Sequence, residues 1–599
     1  MPTSLLRHAA ALLLGAALAP GANALDNGDE APAGLMRPRA APAARTVGAP
    51  PPASLHFASP EHEFLGRQVL LTLPDGRRVP GDQAALLSVP TSGPAGDSVE
   101  LSYAELLYLS GDYYGVPYAS IVGDTPFDVF DATPTPAEIA ARMKLVRNLL
   151  AFQYLGYADY LPRIRELESE LMQRFDDARR HDRALPYGTD DDCASMLATG
   201  ADGCLRDASE LLNLRKYLGL YTELASRSTD HFHADAQSAF LLGVKMALEL
   251  ALGAAGPDDL RFAYVLTAYA SHFGSDAFAA GHVRTDKRTI NAYCAPQLAR
   301  FGFDGWNGLL LSGVLVKRMH DDDNARGIVV TGGDGRQWKA YGDLSMSRRD
   351  NDANTARAVD TLQRAVDRVH EAYERRGQVD PGAFIEATLR ELRQRLPDIA
   401  ATSADSEHNP AALFETRGAQ VWWNDPEQGS RELDCREAVL RYIQDLGAGS
   451  ETVERRLREA EPTARSTGGH AARAARSIDV GIELVEAQAE PARSLVCEWG
   501  KRQHGDFPDT QGAFSMRVGA HLESNGGATG AEGDLYCLVL EPQLRQSPCQ
   551  FTVHFDNPFV GDDAYQLTRL EGACKVDVDD NGRGEHWAPR IVVRQDAQS

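Results

Sequence analysis

The stretch His272-Phe-Gly-Ser-Asp276-Ala-Phe-Ala-Ala-Gly281-His282 closes a run of small and apolar residues, Leu266-Thr-Ala-Tyr-Ala-Ser271. It spaces three ligand-type side chains as H-x3-D-x5-H. A helix sets His272 and Asp276 one turn apart on one face, where both reach a single ion. Gly281 predicts a helix stop, after which the chain turns and presents His282 to a neighbouring ion. Imidazole and carboxylate donors together suit a borderline ion such as zinc. The plain alternative is a satisfied core histidine beside a capping aspartate. Three ligand-type residues at these spacings argue against it.

Outward from this stretch, three further segments carry ligand-type or glycine-bracketed polar residues. They are Gly111-Asp112-Tyr-Tyr-Gly115, Asp230-His231-Phe232 and Lys317-Arg-Met-His320-Asp-Asp-Asp323-Asn324. In this order, with the longer string HFGSDAFAAGHVRTDKR, the chain resembles the zinc-dependent phospholipase C / P1-type nuclease superfamily. The closer likeness is to its Gram-negative secreted phospholipase C branch, whose signature runs roughly H-[FY]-x-x-D-x-F-A-x-G-H-x-R. The resemblance spans residues 62 to 345.

That resemblance implies a cluster of two or three zinc ions. It assigns Asp112, His231, His272, Asp276, His282 and His320 as ligands, with Asp276 the bridging carboxylate. His62, in Glu-His-Glu-Phe-Leu, resembles the family's early histidine. The superfamily commonly places a glutamate four residues after the late histidine, but here position 324 is asparagine, so Asp321 or Asp323 is the candidate substitute. Superfamily members of the P1 type also use a mature N-terminal tryptophan, which this chain lacks. Asp112 is implied as general base or water-orienting group, and Arg284 as the residue holding a phosphate oxygen, with Lys287 and Arg288 nearby. Trp338 and Tyr341-Gly-Asp343 are candidates for the mouth of the site or for the core.

The implied reaction is hydrolysis of the glycerol-side phosphodiester of a phospholipid such as phosphatidylcholine, giving diacylglycerol and a phosphorylated headgroup. A P1-type nuclease and a secreted binding protein with a degenerate site are the alternatives. The net charge of −24 across 599 residues disfavours a nucleic-acid partner, because phosphate backbones call for the opposite sign. No Gly-x-Ser-x-Gly elbow occurs, which disfavours an acyl hydrolase.

The first residues predict export. Arg7 precedes an apolar segment, Ala9 to Leu18, and Ala22-Asn-Ala24 is an A-x-A-type cleavage site, so residues 1–24 read as a signal peptide. The apolar segment is too short to span a bilayer, and a secreted monomer without a transmembrane segment is expected. The eight cysteines fit an oxidising compartment. Cys193 and Cys204 bracket a short polar loop and are the best candidate bridge. Cys497, Cys537, Cys549 and Cys574 allow three pairings, which leaves Cys294 and Cys435 to join across the middle of the chain.

The fold class expected is mainly α. A helical, zinc-phospholipase-C-like catalytic domain (56–460) precedes a small β-sandwich-like domain (478–599). Residues 25–55 are an Ala/Pro/Arg-rich disordered leader and 461–477 a linker. Thr135-Pro136-Ala-Glu138 is a capping box opening a helix over 139–155. Apolar i, i+3, i+4 spacing predicts helices over 211–224, 236–252, 260–280, 306–319, 355–373 and 384–396. After the linker, short alternating runs such as 478–485, 535–540, 551–555 and 590–594 predict strands. Asp577-Val-Asp579-Asp-Asn581-Gly582 begins like a calcium loop but has Ala588 at the twelfth position, where an acid is needed.

Overall fold

A computed structural model of the chain describes residues 59–184 (apart from 91–97, 112–119 and 155–160), then 228–459 and 476–595, with shorter interruptions. The chain divides into two compact units whose boundary falls between Thr463 and Ala464. Helices dominate the first, and all described strands from Ser477 onward lie in the second. The expected helix over 211–224 and the cysteine pair Cys193/Cys204 lie outside the described residues.

The helices of the first unit are α1 (Ser59–Gln68), α2 (Tyr103–Leu109), α3 (Pro136–Tyr154), α4 (Leu161–Arg180), α5 (His233–Leu252), α6 (Pro257–Asp276) and α7 (Ala280–Arg284). They continue with α8 (Lys287–Ala299), α9 (Gly305–Arg326), α10 (Asp352–Glu374), α11 (Pro381–Arg395), α12 (Ile399–Ala404), α13 (Cys435–Tyr442) and α14 (Ser450–Glu459). Helix α6 is the axis of the unit. It is buried without a break from Ala263 through Asp276, so it carries small and apolar residues all round instead of one stripe. Its partner α5 packs alongside closely enough that a Cβ on Gly243 would sit 2.4 Å from Ala270 Cβ. The α3 start follows its sequence in part: Thr135 Oγ1 accepts from Glu138 N at 3.2 Å. Glu138 itself turns inward to Arg142 (2.6 Å) and Lys245 (2.8 Å), joining α3 to α5.

Between the helices lie short strands that the sequence pattern did not announce. They form the hairpins β1 (Leu70–Thr72)/β2 (Arg78–Pro80), β3 (Ala85–Pro90)/β4 (Ser98–Ser102) and β5 (Ile328–Thr331)/β6 (Gln337–Ala340). A small antiparallel sheet joins β7 (Phe414–Arg417), β8 (Gln420–Asp425) and β9 (Gly429–Glu432). Two apolar clusters fill the unit. One is built on α5, α6 and α10 and includes Phe273; the other is built on α8, α9 and α13 and includes Phe232 and Met319. The Cys294–Cys435 disulfide ties α8 to α13 inside the second cluster, as the cysteine arithmetic expects.

The second unit has two sheets around one apolar core. Strands β10 (Ser477–Val485), β11 (Ser494–His504), β12 (Asp506–Gln511), β13 (Arg517–Glu523), β14 (Ala531–Leu540) and β15 (Cys549–Asn557) precede β16 (Ala564–Gly572), β17 (Cys574–Asp579), β18 (His586–Trp587) and β19 (Arg590–Gln595). The six-stranded sheet runs β12-β13-β10-β19-β17 with β18 on β10, and the four-stranded sheet runs β11-β14-β15-β16. Alternation places Ile478, Val480, Ile482 and Leu484 of one sheet and Leu535, Phe551, Val553 and Phe555 of the other in the shared core. Of the three pairings open to the C-terminal cysteines, the chain adopts Cys497–Cys537 and Cys549–Cys574. Asp577 and Asp579 are strand residues paired to β19, so this stretch is not a calcium-type loop.

No helix among the described residues is long and apolar enough to cross a membrane.

Candidate metal centre

Seven ligand-type side chains from six elements converge at the end of α6. His62 comes from α1, His231 from the turn before α5, and His272 and Asp276 from the last turn of α6. His282 comes from α7, His320 from α9, and Asp343 from the turn after β6. Six of them form two buried groups, His62/His272/Asp276 and His282/His320/Asp343, whose candidate ligand atoms lie within 4.8 Å of one another in each group; His231 belongs to neither and stands beside Asp276. Asp276 lies between the two. Its Oδ2 is 2.8 Å from His231 Nδ1 and 3.6 Å from His272 Nε2, while Oδ1 is 3.5 Å from His62 Nε2 and 4.0 Å from His282 Nδ1.

The imidazoles are oriented from behind. His272 Nδ1 donates to Leu107 O (3.0 Å) and His282 Nδ1 donates to His231 O (2.6 Å); a carbonyl can only accept, so in each neutral ring Nε2 carries the lone pair. Ser275 donates its hydroxyl to His272 O (2.7 Å), so its oxygen accepts from His62 Nδ1 at 2.8 Å. His62 Nε2 is then a lone pair as well. These lone pairs lie near carboxylate oxygens: His62 Nε2 is 3.5 Å from Asp276 and His282 Nε2 3.8 Å from Asp343 Oδ1, while His272 Nε2 is 3.6 Å from Asp276 and 3.2 Å from His231 Nδ1. Nitrogen and carboxylate donors gathered this closely in a buried site could hold a cation between them. Two ligands about 2.1 Å from a tetrahedral ion stand about 3.4 Å apart, close to these separations. Asp343 Oδ1, moreover, is buried and accepts no hydrogen bond among the described residues. The donor set therefore fits metal ions at both groups, with hydrogen bonds behind the imidazoles of the kind that orient ligating histidines.

Electrostatics agree with neutral rings at His62, His272 and His282. Burial, reinforced by His272, holds His62 well below the ordinary imidazole value, and burial with His231 does the same to His272. Burial pushes His282 down to about 4. His320 moves the other way, to about 9: burial would lower it, but Asp343 at 2.9 Å and Asp321 outweigh that. Burial would raise the Asp343 carboxyl, and His320 holds it below its ordinary value.

Local backbone explains the convergence. Helix α6 ends at Asp276, not at Gly281: Ala277 caps it, and Ala280 N donates to Tyr341 O as the chain enters α7. Gly281 lies inside α7, where a Cβ would stand 2.5 Å from His320 O. It permits close approach and does not act as a stop. Gly111 has φ +76°, and a Cβ there would be 2.8 Å from His231 Cε1 and 3.0 Å from His272. His233, just after the ligand turn, is held at φ +55°, a conformation costly for a side chain. Asp230 accepts from Ile121 N (2.6 Å), Val122 N (3.0 Å) and Ser120 Oγ (2.9 Å), pinning the segment beside His231.

The remaining site residues read from the sequence fall as follows. Asp112 lies outside the described residues. Arg284 and Asp323 are not at either group. Arg284 Nε donates to Asp323 Oδ2 at 2.9 Å, its other nitrogens reach Asp323 Oδ1 and Pro410 O, and the pair is buried between α7 and α9. Arg284 is thus an internal brace, and Asp323 its counter-ion. Asp321 is engaged by Lys317 and by His320 Nδ1 (3.1 Å). Lys287 is buried over the Phe232 ring at 5.1 Å, and Arg288 pairs with Asp235 at 2.6 Å. Trp338 belongs to the core, donating to Asn354 Oδ1 at 2.7 Å. The carboxylate that completes the second group is Asp343. It stands 19 residues from Asn324 on a turn, so no helical spacing pointed to it.

No protein-family model matches the chain, and no curated protein matches it. Among solved structures, one titled "Crystal structure of RahU protein in complex with TRIS molecule" is similar over 21% of this chain and 98% of its own, at 12% identity and a TM-score of 0.16. So low a TM-score carries no inference about architecture or activity.

Proposed function

We propose that the protein is a secreted, monomeric, zinc-dependent phospholipase C, hydrolysing the glycerol-side phosphodiester of phospholipids at a membrane or micelle surface. The observation that carries this reading is the pair of buried groups, His62/His272/Asp276 and His282/His320/Asp343, whose ligand-type atoms gather closely enough to hold metal ions. The order of motifs around His62, His231, His272, Asp276, His282 and His320 supplies the reaction class by resemblance. Zinc ions held there would supply Lewis acidity toward the phosphodiester and an acidified water.

Within that reading the chain's own residues have distinct tasks. His62 and His272 offer neutral nitrogens to one ion and His282 to a second, where His320, held protonated by Asp343 and Asp321, would release its proton to bind. Asp276, which faces His62 through Oδ1 and His272 through Oδ2, is a ligand of the first ion, and its bridging role is the one the resemblance implies. Asp112 keeps the role of base or water-orienting group. Arg284 is withdrawn from phosphate binding, because its guanidinium is committed to Asp323.

The test is product identity when the purified full chain meets phosphatidylcholine, with and without a chelator. Diacylglycerol and phosphocholine that form only without chelator support the reading. Nicked plasmid DNA without lipid cleavage points to the nuclease alternative. Full metal content with neither activity points to a binding protein.

A further inference from the structure

We propose that Asn324 is a positioning residue that delivers Asp343 to the second group and is not itself a ligand. This rests on the reading above that the groups hold zinc. Asn324 sits on α9 one turn beyond His320, where its side chain shares that face. Its Oδ1 accepts from Gly281 N at 2.6 Å. A backbone N–H only donates, so that atom must be the oxygen, and the other end of the amide is the NH2. That NH2 donates to Asp343 Oδ2 at 3.0 Å and lies 3.0 Å from His320 Nε2. The oxygen is therefore spent on α7, and the end facing the group has no lone pair to offer an ion.

The surroundings hold the amide in this sense. Gly342 N donates to Asn324 O at 3.3 Å, and a Cβ on Gly342 would fall 1.4 Å from Asn324 Oδ1. A Cβ on Gly281 would fall 2.6 Å from the same oxygen. The side chain is wedged between two backbones that lack side chains, one bearing His282 on the next residue and the other bearing Asp343. One amide thus links all three members of the second group: it spans α7 and the turn after β6, and it is rooted on the helix that carries His320. Fixing Oδ2 of Asp343 leaves Oδ1, which faces His282 Nε2 at 3.8 Å, as the oxygen open to an ion.

Asn324→Asp separates positioning from ligation. The variant is nearly isosteric and keeps an oxygen for Gly281 N, but it replaces the donor toward Asp343 with a second acceptor. Zinc is counted by elemental analysis and its affinity measured by chelator competition on the full chain, alongside Asn324→Leu. Asn324→Asp is expected to weaken one zinc by about 10- to 100-fold, as loss of an outer partner does, and to leave the ion at His62/His272/Asp276 in place. Asn324→Leu should do the same, and the retained first ion and parental melting temperature report that each variant is folded. Unchanged or tighter binding of both ions in Asn324→Asp would overturn the proposal, since a ligand role tolerates a carboxylate. So would equal loss of both ions in variants that melt like the parent. A parent chain that binds no zinc would instead sink the metal reading itself.

Discussion

Gly111 shows how much of the site is set by what a residue lacks. At φ +76° any side chain costs about 1–2 kcal/mol in backbone terms, and here a Cβ would also press on His231 and His272. Gly76 provides the control, since it has φ +83° with nothing within 4 Å of a Cβ. Gly76→Ala should lower stability and leave metal binding intact, whereas Gly111→Ala should lower zinc affinity as well; equal zinc affinity in the two variants would refute the clash. Asp276→Asn should release more than one ion, because the proposed bridging carboxylate serves two; full retention of metal would end the bridging assignment. His272, Asp276 and His282 were legible in the sequence because two of them share a helix face. Asp343 was legible only as a candidate for the mouth or the core and not as a ligand, because its approach depends on a turn and on an asparagine that only the folded chain brings together.

The elements that carry the ligands are braced in pairs. Arg284 of α7 and Asp323 of α9 form a buried ion pair, and burial raises the Asp323 carboxyl against the pull of Arg284. Removing one partner strands the other. Arg284→Met should therefore cost about 3–5 kcal/mol by denaturant unfolding, and the double variant Arg284→Met, Asp323→Leu should recover much of it. A single variant that loses activity at full stability would return Arg284 to the substrate. The long helices were readable from apolar spacing, because a run such as 355–373 has one face to bury and shows it. The hairpins and the β7–β9 sheet were not. Their strands are three to six residues long, too short for alternation to stand out, and their pairing depends on neighbours distant in sequence. The end of α6 was misread at Gly281 because a glycine that admits a neighbouring backbone looks the same in sequence as one that ends a helix.

Across the whole chain, the change from helical to alternating texture after residue 477 marked the all-strand second unit, while the cysteine count left its pairing open. The register of β11 against β14 sets Cys497 opposite Cys537 and so decides it. The second unit also carries a pH-sensitive contact. His554 lies 2.9 Å from Asp534 and 3.4 Å from Glu532, and its bond to Asp534, helped by the nearby acids, raises it above 6.5. A raised histidine stabilises the fold fully below its unfolded value and ceases to as pH climbs through its folded value. The melting of this unit should therefore fall as pH rises above 6.5, and His554→Gln should flatten that fall; an unchanged slope in the variant would exclude His554 as its source. Whether the first unit holds zinc is settled by anomalous diffraction at the zinc edge from crystals of the full chain. Zinc peaks are expected among His62, His272 and Asp276 and among His282, His320 and Asp343. Crystals grown with zinc that show no peak at either group, or zinc held only elsewhere, would rule the metal centre out.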